Sequence, residues 1–392
     1  MMHVPLSRPY KTEEAIDYIK DVLSSPYVSS GPYINRFEES IKKVSGARYA
    51  VSCSSGTAAL HILIKSLNIG ENDDVITTPF SFIATSNVIL YEGANPVFCD
   101  VEERHLNLSY DRVKDCIEKD YAWKNGKLQN KHTGRILQAI MPVHIYGYPA
   151  YMKGFKDLAQ RYGLKIIEDA AEAFGSYIYI DGKKQMAGTI GDAGVYAFYA
   201  NKQITTGEGG VIVTGERKII DDALSLRNQG RSLSSKWLIH ERIGYNYRMS
   251  ALNAALGLSQ VEHLPKVIEK RRSAFLRYNQ LLGDIDEIEL FTEEDHVKTN
   301  WFVYIIRFKK AELRDKVATY LKEKGIETRP YFDPPLHLQP AYRKILPYKE
   351  GDFPISEDAS RRVLALPFFT GIKEEEQIYV SKTLKEAIGK LL

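Results

Sequence analysis

Residues 164–176, LKIIEDAAEAFGS, and residues 194–214, GVYAFYANKQITTGEGGVIVT, decide how the rest of this chain is read. Each opens on a short apolar run, and the first stops on the paired acids Glu168 and Asp169. The second runs into Lys202 and then TTGEGG, where Gly207, Gly209 and Gly210 suit a backbone that turns tightly or is closely approached. Working outward, the same texture recurs from Arg48 to Gly210. YAVSC (49–53), DVITT (74–78), NPVFCD (95–100), ILQAIMPVH (136–144) and GVIVT (210–214) are nearly continuous apolar runs, the pattern of strands buried on both faces. Helix-like segments at 58–67, 83–91 and 151–162 lie between them. The alternation predicts an α/β fold: an open, mostly parallel sheet with helices on both faces.

After Arg248 the texture changes. A long charged helix pattern from Ala251 to Leu282, interrupted by Pro265, leads away from the sheet. It is followed by a strand-like WFVYIIRF (301–308), a helix over 311–324, a Pro-rich loop RPYFDPPLHLQP (329–340) and a terminal helix. The 392 residues therefore divide into a large domain, 1–250, and a smaller C-terminal α+β domain, 251–392. The first 15–30 residues pack on either.

The composition, 44% hydrophobic and 26% charged, is that of a globular protein. A net charge of +3 without a basic block argues against a nucleic-acid partner. MMHVPLSRPY lacks the apolar core of a signal peptide, and no apolar run is long enough for a membrane span. Cys53, Cys99 and Cys116 form no CxxC pair, so reduced thiols, a cytoplasmic location and no metal site are expected.

In open α/β sheets ligands sit beyond the carboxyl ends of the strands, where Asp169 and the Gly56-Thr57 turn both fall. A carboxylate at a strand end, a lysine further along and a Gly-Thr loop opening a helix are the parts needed to hold pyridoxal 5′-phosphate (PLP). Lys202 is the candidate for an imine with the cofactor aldehyde and for proton transfer once released; the alternative is a solvated lysine. Asp169 would pair with the pyridinium nitrogen. An ion pair at roughly 4 Å in an effective dielectric of about 20 is worth on the order of 4 kcal/mol before desolvation. Its alternative is a helix N-cap ahead of AAEAFGS. Gly56 and Thr57, helped by Ser54 and Ser55, would cradle the phosphate on free N–H groups, or simply cap a helix. Phe82 would stack on the ring with Ala171 on the other face, or belong to the core. Asn246 and Arg248, in GYNYRM (244–249), mark an interface, a site or a structured turn.

These residues resemble the DegT/StrS-type sugar aminotransferases, a branch of the fold-type I PLP enzymes. The likeness runs in order through YVSSGPYINRFEE, SSGTAALHI, DDVITTPFSFIATSN, GANPVFCDV, VHIYGYPA, IIEDAAEAFGS, FYANKQITTGEGG, GYNYRMSALNAALGLSQ and PLHLQPAY. It implies a homodimer with shared active sites. Lys202 falls on the imine lysine, Asp169 on the ring-nitrogen partner, Gly56 and Thr57 on the phosphate cradle and Phe82 on the stacking aromatic. Asn246 falls on the asparagine that reaches the neighbouring subunit's cofactor. Glu172 takes a position often filled by Gln or His that contacts the cofactor's ring-hydroxyl region or the substrate. One departure is Ala197, where the family often has a phosphate-binding Ser. A hydrogen bond to a charged group is worth ~1.5–3 kcal/mol, so weaker cofactor binding is expected, with Tyr199 or a water compensating.

The implied reaction takes an amino group from L-glutamate and delivers it to a nucleotide-linked keto-sugar, for surface glycans such as O-antigen. The EDAAEA and NKxITTGEGG variants resemble enzymes that aminate C4 of 4-keto-6-deoxy sugars, including perosamine synthases. Arg329, Tyr331 and His337 are candidates for holding the sugar or diphosphate, as are Tyr199 and Arg248. The rivals are a C3 keto-sugar or aminocyclitol aminotransferase and, in another class, a non-catalytic regulator or binding protein on the same fold. A related deoxygenating subgroup has His in place of the lysine, so Lys202 argues for transamination.

Overall fold

The computed structural model describes residues 2–234 and 238–392. In chain order the strands up to the end of the main sheet are β1 (Tyr49–Cys53), β2 (Asp73–Thr77), β3 (Asn95–Phe98), β4 (Tyr121–Lys124), β5 (Lys127–Asn130), β6 (Ile136–Ile140), β7 (Lys165–Asp169), β8 (Tyr177–Ile180), β9 (Lys183–Met186), β10 (Ala193–Ala197) and β11 (Gly210–Thr214). Around them lie α1 (Glu14–Ser24), α2 (Pro32–Ser45), α3 (Gly56–Ser66), α4 (Ala84–Tyr91), α5 (Tyr110–Asp120), α6 (Met152–Tyr162), α7 (Arg217–Leu226) and α8 (Ala251–Glu262). Then come α9 (Leu264–Leu282), β12 (Ile288–Leu290), β13 (Val297–Lys298), β14 (Tyr304–Phe308), α10 (Ala311–Glu323), α11 (Pro354–Arg362), β15 (Val363–Leu366) and α12 (Glu374–Leu391).

The main sheet runs β1-β11-β10-β7-β6-β2-β3, with the β4–β5 hairpin beside β6. Pairing is parallel from β10 through β7, β6 and β2 to β3, whereas β11 is antiparallel to both β1 and β10. Alternate residues of the buried strands feed two cores. Val195 and Ile212 pack with Ala59, Ile62 and Leu63 of α3 and with Ile219 and Ala223 of α7. Tyr196, Val211 and Val213 pack on the other face with Phe37 and Ile41 of α2 and Leu258 of α8. The sheet is thus a layer between two layers of helices, with its strand ends free to carry a site.

A separate core joins α9, β14, α10, β15 and α12 through Tyr278, Phe308, Leu321, Leu364 and Leu384. Its sheet is β12-β14-β15, all antiparallel. Past the expected boundary at 250/251, α8 and the first turn of α9 still pack under the main sheet. Ala251, Ala254, Leu258 and Val267 belong to the core under the main sheet, and the second core begins at Ala274. The reason is apolar patterning: α8 carries Ala and Leu all round and beds on α1 and α2. The N-terminus divides as well. Val4 pairs with Ile326 in the second core, while α1 lies on α8.

Candidate active site

Beyond the carboxyl ends of the parallel strands lies a cavity of ≈ 500 Å³, lined by the strand-end loops of the main sheet and by Phe302, Arg329 and Tyr331 from the C-terminal part of the chain. Ser55 caps α3, its Oγ accepting from the N–H of Ala58 at 3.0 Å. The N–H groups of Gly56 and Thr57, in the first turn, have no acceptor within the helix, and both residues line the cavity. A Cβ on Gly56 would stand 2.6 Å from Cβ of Ala197, so only glycine fits there. This makes a concave, donor-rich patch at the positive end of a helix, the chemistry that holds a phosphate.

Asp169 ends β7 and is buried. Its Oδ2 accepts from Oγ1 of Thr85 at 2.7 Å and its Oδ1 from the N–H of Ala171 at 3.2 Å. Those are two of about four acceptor sites on a carboxylate. No helix follows Asp169; the chain turns instead, so the N-cap alternative is replaced by a turn bond to Ala171. Thr85 is in turn 3.1 Å from Oγ of Ser81. Lys202 lies on the loop between β10 and β11, where its N–H donates to the carbonyl of Tyr199 at 2.9 Å. Its Nζ is 3.4 Å from Oε1 of Glu172 and 4.2 Å from the centroid of the Phe302 ring. The other carboxylate oxygen of Glu172 accepts from the N–H of Tyr146 at 2.9 Å. Burial pushes the Glu172 carboxyl above its ordinary range, with Lys202 pulling the other way. Phe82, 63% exposed, Tyr199, 51% exposed, and Arg329 line the same cavity as Ala171. Tyr331 lines it too, its hydroxyl pushed up to about 12 by burial and then by Glu172.

Comparison with known proteins bears on this arrangement. The model of the DegT/DnrJ/EryC1/StrS aminotransferase family matches residues 9–385. The chain belongs to that family. It is 35% identical to a GDP-perosamine synthase of Escherichia coli O157:H7 over 98% of this chain and 99% of that protein. A GDP-perosamine synthase of Vibrio cholerae is 34% identical, over 97% of this chain and 98% of its own length. Among solved structures, a DegT DnrJ EryC1 StrS aminotransferase from Brucella abortus superposes with a TM-score of 0.85 at 28% identity, covering 95% of each chain.

Membership makes this a PLP-dependent aminotransferase of fold type I. The cavity fits the cofactor: a primary amine, a carboxylate with acceptor capacity left over and a helix start too tight for any side chain meet there. Three other expected positions lie elsewhere in the chain. His337 is buried away from the cavity, its Nε2 3.0 Å from Glu357, because that carboxylate gathers the turn at Gly351 and Phe353 and draws the ring with it. Arg248 turns its guanidinium to the side-chain oxygens of Asn228 and Gln229, both at 2.8 Å, so it does not face the substrate space of its own chain. Asn246 is exposed and does not line this cavity. The sequence reading passed over Thr85, Tyr146 and Phe302. A Thr in a helix and an aromatic in a strand-like run carry no signal of their own; only the partner atoms reveal them.

Proposed function

We propose that this family member moves an amino group from L-glutamate to C4 of a nucleotide-linked 4-keto-6-deoxyhexose, as the name GDP-perosamine synthase implies for its relatives. The carrying observation is that Lys202, Asp169 and the start of α3 meet on one cavity whose rim bears Arg329, Tyr331 and Tyr199. Bound PLP supplies the carbonyl that takes up the amino group and a ring that withdraws electrons. Lys202 Nζ is the group that holds the cofactor covalently and, once free, carries a proton between the reacting carbons. Asp169 would keep the ring nitrogen protonated, with Thr85 fixing the orientation of its carboxylate. Gly56, Thr57 and Ser55 would hold the phosphate, and Phe82 and Ala171 would flank the ring. Arg329 is the cation for an anionic substrate group, and Glu172 restrains Lys202.

Asn246, exposed and away from its own cavity, supports a homodimer in which it serves the neighbouring subunit's cofactor. Asn246→Ala should then weaken PLP retention about tenfold, the loss of one hydrogen bond to a charged group; unchanged PLP affinity by dialysis and absorbance would remove it from the site.

The test of the whole reading is visible absorbance of the PLP-loaded protein before and after L-glutamate, then addition of a GDP-linked 4-keto-6-deoxyhexose. Loss of the band with release of 2-oxoglutarate, and a product aminated at C4, are expected. A band untouched by glutamate overturns the donor, and amination at C3 overturns the carbon.

A further inference from the structure

Arg271 is a buried cation with no anion beside it among the described residues. It sits in α9, 3% exposed, and among the described residues all its partners are neutral. Nε donates to the carbonyl of Trp301 at 2.8 Å, Nη2 to the carbonyl of Phe302 at 2.7 Å and Nη1 to Oγ1 of Thr370 at 3.2 Å, while the guanidinium lies 4.7 Å from the Phe368 ring centroid. Taking a charge out of water without an ion pair is costly. A guanidinium that spends three of its five donors this way, two of them on carbonyls, is fixing backbone, and the backbone it fixes is special. Trp301 has φ +52°, in the left-handed region that a bulky residue avoids. Its ring is stacked on Phe275 with centroids 3.4 Å apart, and its backbone N–H donates to Thr299 Oγ1 at 3.2 Å.

The same four residues, Thr299–Phe302, touch both neighbours of the Lys202 amine. Phe302 supplies the ring on which Nζ rests at 4.2 Å. Asn300 donates through Nδ2 to the carbonyl of Glu172 at 2.8 Å, and the Glu172 side chain is the other neighbour, at 3.4 Å. The segment is pinned at its near end by Thr299 Oγ1 to the carbonyl of Gly147 at 3.0 Å and by the Asn300 N–H to Oγ of Ser176 at 2.9 Å. Arg271 closes the far end.

We infer that Arg271 is a positioning residue for the Lys202 amine: it fixes Phe302 beneath Nζ, while Asn300 in the same strap fixes Glu172 beside it. The role is indirect. Arg271 does not line the cavity, and its effect passes through the ring it holds. The inference rests on the reading of Lys202 as the cofactor lysine. The other titratable or charged groups lining the cavity are Glu172, Asp169, Glu208, Tyr199, Tyr331 and Arg329, and none of them touches Arg271.

The π face of Phe302 favours the positive form of the lysine nitrogen. In PLP-loaded protein the readout is the pH midpoint of the visible band given by the lysine-linked cofactor. Phe302→Leu should lower that midpoint by about half to one pH unit, the size of one cation–π contact. Arg271→Lys keeps the charge but cannot span two carbonyls and a hydroxyl. It should lower the midpoint in the same direction, and combined with Phe302→Leu it should add nothing, because both act through one contact. Should Arg271→Lys fail to fold, Thr370→Val removes one acceptor and is the milder release, with a smaller fall expected. An unchanged midpoint overturns the inference. So does a rise, which a weakened cation–π contact cannot give. Lys202→Ala separates the two levels: a band that survives it sinks the reading of Lys202, whereas a band that vanishes with no shift in the Arg271 or Thr370 variants sinks the positioning role alone.

Discussion

Glu168 and Asp169 are neighbours on β7, and they face opposite ways. Glu168 is fully buried and accepts four hydrogen bonds, from the N–H groups of Gly188 (2.8 Å), Ile190 (2.5 Å) and Gly191 (2.6 Å) and from Nε2 of His144 (2.9 Å). Nδ1 of His144 accepts from the N–H of Ala150, so Nε2 carries the proton toward Glu168. Every acceptor site on that carboxylate is used. Asp169, one residue on, accepts two hydrogen bonds and lines the cavity. The contrast teaches that burial alone does not distinguish a structural acid from a chemical one. What distinguishes them is acceptor capacity left over at a surface a ligand can reach.

The largest effect should come from the saturated member. Glu168→Ala strands three backbone donors and His144, and should lower the free energy of unfolding by about 3–5 kcal/mol. A urea titration with unchanged slope measures it; a loss below 1 kcal/mol would break the comparison from that side. Asp169→Asn should do the opposite. Stability should hold within about 1 kcal/mol, while amino transfer falls about a hundredfold or more, as for other charge-stabilising groups. Near-native turnover would break the comparison from the other side. Thr85→Val takes one donor from Asp169 and should cost about tenfold in turnover, roughly one charged hydrogen bond, with little change in stability.

Glu172 is the intermediate case and should give the smallest effect. It accepts one backbone N–H and faces Lys202, and burial raises its carboxyl above the ordinary value. Between the unfolded and the raised native value the native state holds the extra proton. Stability from this group is therefore present below the unfolded value and falls as pH rises through the native one. Glu172→Gln should remove that slope from a series of denaturation curves; an unchanged slope would assign it to another acid.

Much of this was legible beforehand. Apolar runs placed the seven strands on the main path of the sheet, because strands buried on both faces need them. The β4–β5 and β8–β9 hairpins were missed: YAWK, KLQN and KKQM are too polar to announce themselves. The WFVYIIRF strand starts three residues late, at Tyr304, since Trp301 and Phe302 are drawn aside by Arg271. Arg271 itself reads as one charge among many in EKRR. Its position gives it away, because Leu264, Val267, Arg271, Ala274, Tyr278 and Leu282 form one helical stripe and all are buried. At the site, Lys202, Asp169 and the Gly56-Thr57 turn were legible from strand ends and helix starts. Thr85 and Phe302 were not, since their placement depends on contacts distant in sequence.

The reversed strand in the sheet has an engineering consequence. Because β11 runs against β10, the segment carrying Lys202 leaves and re-enters the sheet at the same end of two neighbouring strands, closed by the bond from the Phe198 N–H to the carbonyl of Gly209 at 2.9 Å. No crossover passes through it. Residues 198–209 therefore form a single hairpin loop anchored by Phe198 and Ile204 in the core, so exchanging it for the matching stretch of a relative reroutes no helix provided those two anchors are kept.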